Sequence, residues 1–164
     1  MTKTLYIARH GKSSWDFEDI ADLDRPLNSR GVSNAYMMAE RLKAKGMIPE
    51  LLLSSPASRA IHTATIYIRT LGLAWDSLII NEKIYFGYVN DILEAIEQVD
   101  NQYSSLMVIG HNPAFTELAN SLLQNPVDNI PTAGIVTLVF PTDQWLSIRK
   151  VKPENEDFDY PKKQ

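Results

Sequence analysis

Apolar and polar positions follow two periods along this chain. Leu5 to Ala8 form a short apolar run that stops at Arg9-His10-Gly11, the pattern of a buried strand ending in a turn. From Ser29 onward, Val32, Ala35, Tyr36, Ala39 and Leu42 recur at helical spacing and Gly46 supplies a stop, which predicts an amphipathic helix. Leu51-Leu52-Leu53 reads as a second strand. Ser55-Pro56 then offers a capping hydroxyl and a proline suited to a first helical position, and Ala57, Ala60, Ile61, Ala64 and Ile68 give the following helix a buried stripe up to Gly72. A strand over residues 78–80 and a helix from Asn90 or Asp91 to Val99 come next. Leu106-Met107-Val108-Ile109 is the clearest central strand and stops at Gly110-His111-Asn112-Pro113. Phe115, Leu118, Ala119, Leu122 and Leu123 mark a helix capped by Asn112 with Pro113 at its first position. Residues 135–140 and 145–151 read as two closing strands, a hairpin through Pro141-Thr142-Asp143, and residues 152–164 as a polar, loosely ordered tail. Between Lys12 and Arg30, Trp15, Phe17 and Ile20 are scattered among acidic residues in a long loop, a length more often functional than idle.

Strands alternating with amphipathic helices predict an α/β fold, a three-layer αβα sandwich around a mostly parallel sheet. Such sheets bind ligands beyond the carboxyl ends of their strands. Three strand ends are chemically unusual: Arg9-His10-Gly11, Ser54-Ser55-Pro56 leading to Arg59, and Gly110-His111-Asn112-Pro113. They are expected to converge on one edge.

Composition narrows the chemistry available there. A chain of 164 residues, 45% of them hydrophobic, suits one domain over residues 1–164, which can hold a core without disulfides or metals. The absence of cysteine removes thiol nucleophiles, Cys-ligated zinc, iron–sulfur clusters and disulfide frameworks. The first residues reach charge too soon for a signal-peptide apolar region, and no stretch approaches the ~18 apolar residues of a membrane span, so the expectation is a cytoplasmic protein without a membrane partner. With 16 Lys plus Arg against 20 Asp plus Glu, the net charge of −4 argues against a nucleic-acid partner held by bulk electrostatics. Any anion site is therefore local.

Arg59 falls in the first turn of its helix, where the macrodipole disfavours a cation by ~0.3–1 kcal/mol. Either a bound anion or a loop carboxylate such as Asp16 or Asp24 compensates it. Arg9, at the end of an apolar strand, also needs a negative partner. Two arginines and two histidines at one sheet edge suit a phosphoryl group, because guanidinium binds its oxygens bidentately and one imidazole can attack phosphorus. The cations disfavour imidazolium and keep the attacking ring neutral near pH 7, so no metal or other cofactor is required. His62 lies outside these strand ends and reads as structural or solvent-facing. Competing patterns fail: Gly11-Lys12-Ser13 mimics the end of a P-loop, but Tyr6 stands where its first glycine belongs, and neither a His-x-x-x-His pair nor a Gly-x-Ser-x-Gly elbow occurs.

Arg9-His10-Gly11, then Ser55-Pro56-Ala57-Ser58-Arg59-Ala60 with Thr63, then Gly110-His111-Asn112-Pro113, resemble in order the motifs of the histidine phosphatase superfamily, the phosphoglycerate-mutase-like fold. The Arg-His-Gly-Lys-Ser-Ser-Trp opening and Asp24-Arg25-Pro26-Leu27 are most similar to its SixA-type phosphohistidine phosphatase branch. The resemblance implies that His10 is the nucleophile and becomes phosphorylated, while Arg9, Arg59 and His111 hold the phosphoryl oxygens. Gly11, Lys12 and Ser13 are candidates to line the phosphate and substrate site. Asn112 is another, able to donate to phosphate as well as to cap its helix. Many members protonate the leaving group with an acid, for which Glu82 is the best positional candidate, although an imidazole leaving group departs with far less assistance than an alkoxide. The expected reaction is metal-independent hydrolysis through a phosphohistidine intermediate. Its expected substrate is a phosphorylated protein, such as a phosphotransfer domain carrying phosphohistidine. A small phosphoester or sugar phosphate is the alternative substrate, and a phosphate-reading module without turnover the alternative of another class. A mutase needs enclosing insertions for which the length leaves little room.

Overall fold

The computed structural model describes residues 1–163, and Gln164, the end of the tail, lies outside the described residues. In chain order the elements are β1 (Lys3–Arg9), α1 (Ser29–Ala44), β2 (Leu51–Ser54), α2 (Ser58–Leu71), β3 (Leu78–Ile80), α3 (Lys83–Phe86), α4 (Val89–Glu97), β4 (Ser105–Gly110), α5 (Ala114–Leu122), β5 (Ile135–Phe140) and β6 (Asn155–Asp159). The strands form one six-stranded sheet in the order β3-β2-β4-β1-β5-β6. β3, β2, β4 and β1 pair in parallel, whereas β5 is antiparallel to both β1 and β6.

Alternation along the strands builds the three layers. Leu5 and Ile7 of β1, with Leu106 and Val108 of β4, face α4 and α5 through Ile92, Ile96, Phe115 and Leu118. Tyr6 and Ala8, with Met107 and Ile109, face the other way onto Met38, Leu42, Ala60 and Tyr67 of α1 and α2. Burial on both faces is why β4 reads as an unbroken apolar run, and each such side chain contributes ~1.5–3 kcal/mol. The described residues contain no helix long and apolar enough to cross a membrane.

Several boundaries differ from those the sequence predicts. α2 begins at Ser58, not at Pro56, because the Ser55 hydroxyl accepts the Ala57 N–H at 3.1 Å and turns the chain once more before the helix starts. Residues 145–151 do not form the second closing strand. Trp145 is fully buried, its indole N–H donates to the Tyr103 carbonyl at 2.9 Å, and its segment is a single 3-10 turn. The closing strand is β6, inside the stretch expected to be loose. Arg41 of α1 ties that stretch down, donating to Asp159 Oδ1 at 3.0 Å and to the carbonyls of Tyr160 and Pro161 at 2.9 Å each.

Candidate active site

The parallel register sets the site. Arg9 at the end of β1 lies opposite Gly110 at the end of β4, so His10 and His111 leave the sheet side by side. The His10 N–H donates to the Gly110 carbonyl at 3.1 Å, and the two rings stand 5.0 Å apart, tilted by 52°. On the other side of β4, Ser55 donates its N–H to Ile109 at 3.0 Å, which brings Ser55 Oγ to 2.7 Å from His111 Nε2.

Two glycines let the loop after β1 touch α1. A Cβ on Gly11 would meet the Gly31 carbonyl oxygen at 2.7 Å, and a Cβ on Gly31 would collide with the Lys12 carbonyl. α2 is tied to the same loop by Thr63, whose hydroxyl accepts the Gly11 N–H at 3.1 Å and donates to the Arg59 carbonyl at 2.8 Å. His10 and Arg59 therefore hang on one frame.

A hydrogen bond fixes the proton of His10. His10 Nδ1 lies 2.6 Å from the Gly11 carbonyl. A carbonyl only accepts, so Nδ1 carries the hydrogen and Nε2 holds the lone pair. For His111, Ser55 Oγ can either donate to Nε2 or accept from it, and when it donates the ring hydrogen sits on Nδ1. Among the described residues, the buried side-chain nitrogens and oxygens without a hydrogen-bond partner are His111 Nδ1 and Arg9 Nε. Two buried, unpartnered polar nitrogens are costly unless a ligand supplies partners, and Arg9 Nε is a donor. Burial pushes the pKa of His10 down to about 4, against a smaller opposing effect of the Gly11 hydrogen bond, and the positive charges of Arg59 and Arg9 push it further down. Burial likewise lowers His111 to about 3, followed by repulsion between the two rings when both are protonated and by the positive charge of Arg59. Both imidazoles are neutral at pH 7.

Arg59 has a carboxylate partner, and it is Asp22, not Asp16 or Asp24. Its Nη1 donates to the Asp22 carbonyl at 2.7 Å and its Nη2 to Asp22 Oδ2 at 3.0 Å. Tyr85 of α3 donates its hydroxyl to the same Oδ2 at 2.6 Å, and Arg25 donates to Oδ1 at 2.9 Å. The Tyr85 bond first, then those of Arg25 and Arg59, hold the Asp22 carboxyl well below the usual carboxylate range. Asp22 is thus a standing anion and not a proton donor. Tyr85 also sets its ring edge-on to His111, with centroids 5.4 Å apart, so one side chain spans from the long loop to the second imidazole.

The structure brings His10, Arg9, Arg59, His111 and Gly11 together. Lys12 is exposed at the mouth and Ser13 half-buried, pairing through a β-bridge with Leu27. The Asn112 side chain is engaged as a brace: it accepts the Thr116 N–H at 3.1 Å and donates to the Ile130 carbonyl at 3.0 Å, the carbonyl that also receives Arg9 Nη1. Glu82 is exposed at the start of α3 and makes no cap hydrogen bond, while Tyr85, three residues on, reaches the cluster. His62 is half-buried in α2. Sequence reasoning missed Asp22, Tyr85 and the role of Ser55. For Asp22 the neighbouring Asp24-Arg25-Pro26-Leu27 segment is a signal, whereas nothing local marks Tyr85.

Known proteins resemble this chain in sequence and in fold. The sequence model of the histidine phosphatase superfamily (branch 1) matches residues 5–83, the span holding Arg9-His10-Gly11 and Arg59. An uncharacterised chloroplastic protein of Arabidopsis thaliana is 29% identical over 130 residues, 74% of this chain and 60% of that protein, so the chain spans less than two thirds of that relative. An uncharacterised protein of Mycobacterium tuberculosis is 30% identical over 141 residues, covering 86% of this chain and 85% of the relative. In three dimensions the chain is similar to a Nakamurella multipartitia protein described as a phosphohistidine phosphatase SixA. The TM-score is 0.85 at 20% identity, over 99% of this chain and 98% of that one. It is similar also to the protein histidine phosphatase SixA complexed with tungstate, with TM-score 0.79 at 24% identity over 96% and 97% of the two chains. Family match, near-full-length relative and fold agree with the order of the motifs: the chain belongs to the histidine phosphatase superfamily.

Proposed function

We propose that the protein is a SixA-type phosphatase that removes the phosphoryl group from phosphohistidine on a protein, with His10 as its covalent nucleophile. The observation that carries this reading is the Gly11 carbonyl holding the His10 proton on Nδ1, which leaves Nε2 unprotonated in the field of the Arg59 and Arg9 guanidinium groups. In the first step Nε2 attacks phosphorus in line. A P–N bond to His10 forms as the P–N bond to the substrate imidazole breaks, and the electron pair leaves with that imidazole. Arg9, Arg59 and the His111 Nδ1 hydrogen hold the phosphoryl oxygens as charge redistributes among them. In the second step water attacks phosphorus, the bond to Nε2 breaks with its electron pair returning to Nε2, and the water protons leave with the phosphate product or to solvent, which regenerates neutral His10 with its hydrogen on Nδ1. Asp22, held ionised, positions Arg59 and takes no part in proton transfer.

A protein substrate is supported by the rim. Trp15, stacked on the Arg25 that bonds Asp22, and Phe86, edge-on to Tyr85, are 75% and 72% exposed. Large aromatics left in solvent around a charged site favour an apolar partner surface over a small polar metabolite. The likeness to SixA structures, one of them holding an oxyanion, points the same way.

Incubation with a labelled phosphohistidine protein, followed by rapid alkaline quench, is expected to trap an acid-labile, alkali-stable phosphoenzyme. His10→Ala should abolish it, and persistence of the label in that variant overturns the assignment. Turnover is expected to survive chelation, since the guanidinium groups supply the positive charge. A higher kcat/KM on small phosphoesters than on protein phosphohistidine would overturn the substrate.

A further inference from the structure

Beside the phosphoryl site runs a cleft of about 310 Å³ lined by Lys12, Arg30, Asn34, Thr132, Tyr160 and Lys162, among others. We propose that this cleft is a second subsite, which binds an acidic stretch of the phosphoprotein substrate close to its phosphorylated residue. The proposal rests on the function given above and specifies which phosphoproteins fit.

Charge carries the first part of the argument. The chain has an excess of acids, 20 against 16, yet this cleft gathers Lys12, Arg30 and Lys162. None of the three takes part in the ion pairs found among the described residues, which use Arg25, Arg41, Lys45, Arg59 and Arg149 instead. Arg30 also stands in the first turn of α1, a turn without an acidic residue, where a cation is disfavoured. Cations gathered against their own repulsion, in a chain that could have paired them, are complementary to an incoming anion. Asn34, Thr132 and Tyr160 add polar groups around them.

Position carries the second part. Lys12 follows His10 by two residues, so their Cα atoms are at most about 7 Å apart. The opposite wall, Pro131 and Thr132, is pinned to the same site at both ends: Ile130 accepts from Arg9 at 3.0 Å, and Ala133 donates its N–H to the His10 carbonyl at 2.9 Å. An extended peptide advances roughly 3.3 Å per residue. A phosphohistidine at His10 therefore has side chains two to four residues away within reach of the cleft that Lys12 lines.

The test compares two phosphohistidine peptides of equal length, one with Asp and Glu two to four residues from the phosphohistidine and one with Asn and Gln there. The full chain is expected to prefer the acidic peptide by about tenfold in kcat/KM at low salt, the sum of a few exposed ion contacts, and to lose the preference as salt is raised. In Arg30→Gln/Lys162→Gln the ratio should fall below about twofold. Equal rates on both peptides, or a ratio unchanged in the variant, overturns the subsite. If neither peptide is turned over, the phosphohistidine reading fails, and binding of the unphosphorylated acidic peptide then decides the subsite by itself. Binding about tenfold tighter to the unsubstituted chain than to the double variant upholds it, and equal binding overturns it.

Discussion

Asp22 holds Arg59 from the side of the phosphoryl site, and two opposing effects meet in its carboxylate. The carboxylate holds Nη2 and the Asp22 backbone carbonyl holds Nη1, which fixes the guanidinium plane and leaves the remaining N–H groups for phosphoryl oxygens. The carboxylate also places a negative charge where a dianion must bind. The side chain is 49% exposed, which screens the repulsion more than it loosens the short bonds. Asp22→Asn is therefore expected to lower kcat about tenfold, equivalent to about 1.4 kcal/mol of transition-state positioning, while KM stays level or falls. Tyr85→Phe keeps the charge and removes one bond, so its kcat should fall less, by about threefold. Steady-state kinetics on both variants separate the effects. A raised KM with unchanged kcat would show that Asp22 serves ground-state binding and not orientation.

At the scale of elements, the join between the β1 loop and α1 turns on a pair of glycines. Alanine within a helix is normally favoured over glycine by ~1 kcal/mol, which by propensity alone makes Gly31→Ala stabilising. Here the added Cβ would collide with the Lys12 carbonyl, and the overpacking cost of ~1–3 kcal/mol is expected to win. Thermal unfolding should show a lowered Tm, together with a loss of activity because the displaced backbone carries His10. A raised Tm would sink the account. The same loop shows what a sequence can and cannot display. Strand ends were legible because an apolar run halting at Arg9-His10-Gly11 or Gly110-His111 is a local signal, and parallel register converts it directly into proximity. The Asp22–Tyr85 contact was not, since it joins a long loop to a short helix 63 residues away. Trp145 misled for a related reason: its apolar neighbourhood has the look of a strand, but a buried carbonyl of Tyr103, which also receives Lys3 Nζ at 2.8 Å, fixes the indole in a turn. β6 hid itself by composition. Asn155-Glu156-Asp157-Phe158-Asp159 is an edge strand, and edges are kept polar to prevent pairing with other chains.

For the molecule as a whole, two imidazoles held neutral in the fold make stability a function of pH. In the unfolded chain both titrate near 6.5, whereas in the fold burial lowers them to about 4 for His10 and about 3 for His111. A depressed folded pKa means that the unfolded state binds more protons between the two values. Stability is therefore complete above pH 6.5 and is lost as pH falls through the window from 6.5 to about 4 and 3. At up to about 1.4 kcal/mol per proton per pH unit, the two rings together remove on the order of 5 kcal/mol by pH 4, comparable to the whole stability of many domains of this size. The stability that Asp22 contributes is present above its ordinary carboxylate range and is lost only as pH falls into and below that range, so it adds to the acid end of the decline and not to its onset near 6.5. Urea unfolding between pH 7.5 and 4 is expected to show a steep decline that starts near 6.5. His10→Asn and His111→Asn should each remove about half of the slope, because each deletes one of the protons taken up on unfolding. Stability that stays level from pH 6.5 to 4.5 would mean that the rings accept protons within the fold, which would deprive His10 of the lone pair its proposed attack on phosphorus requires.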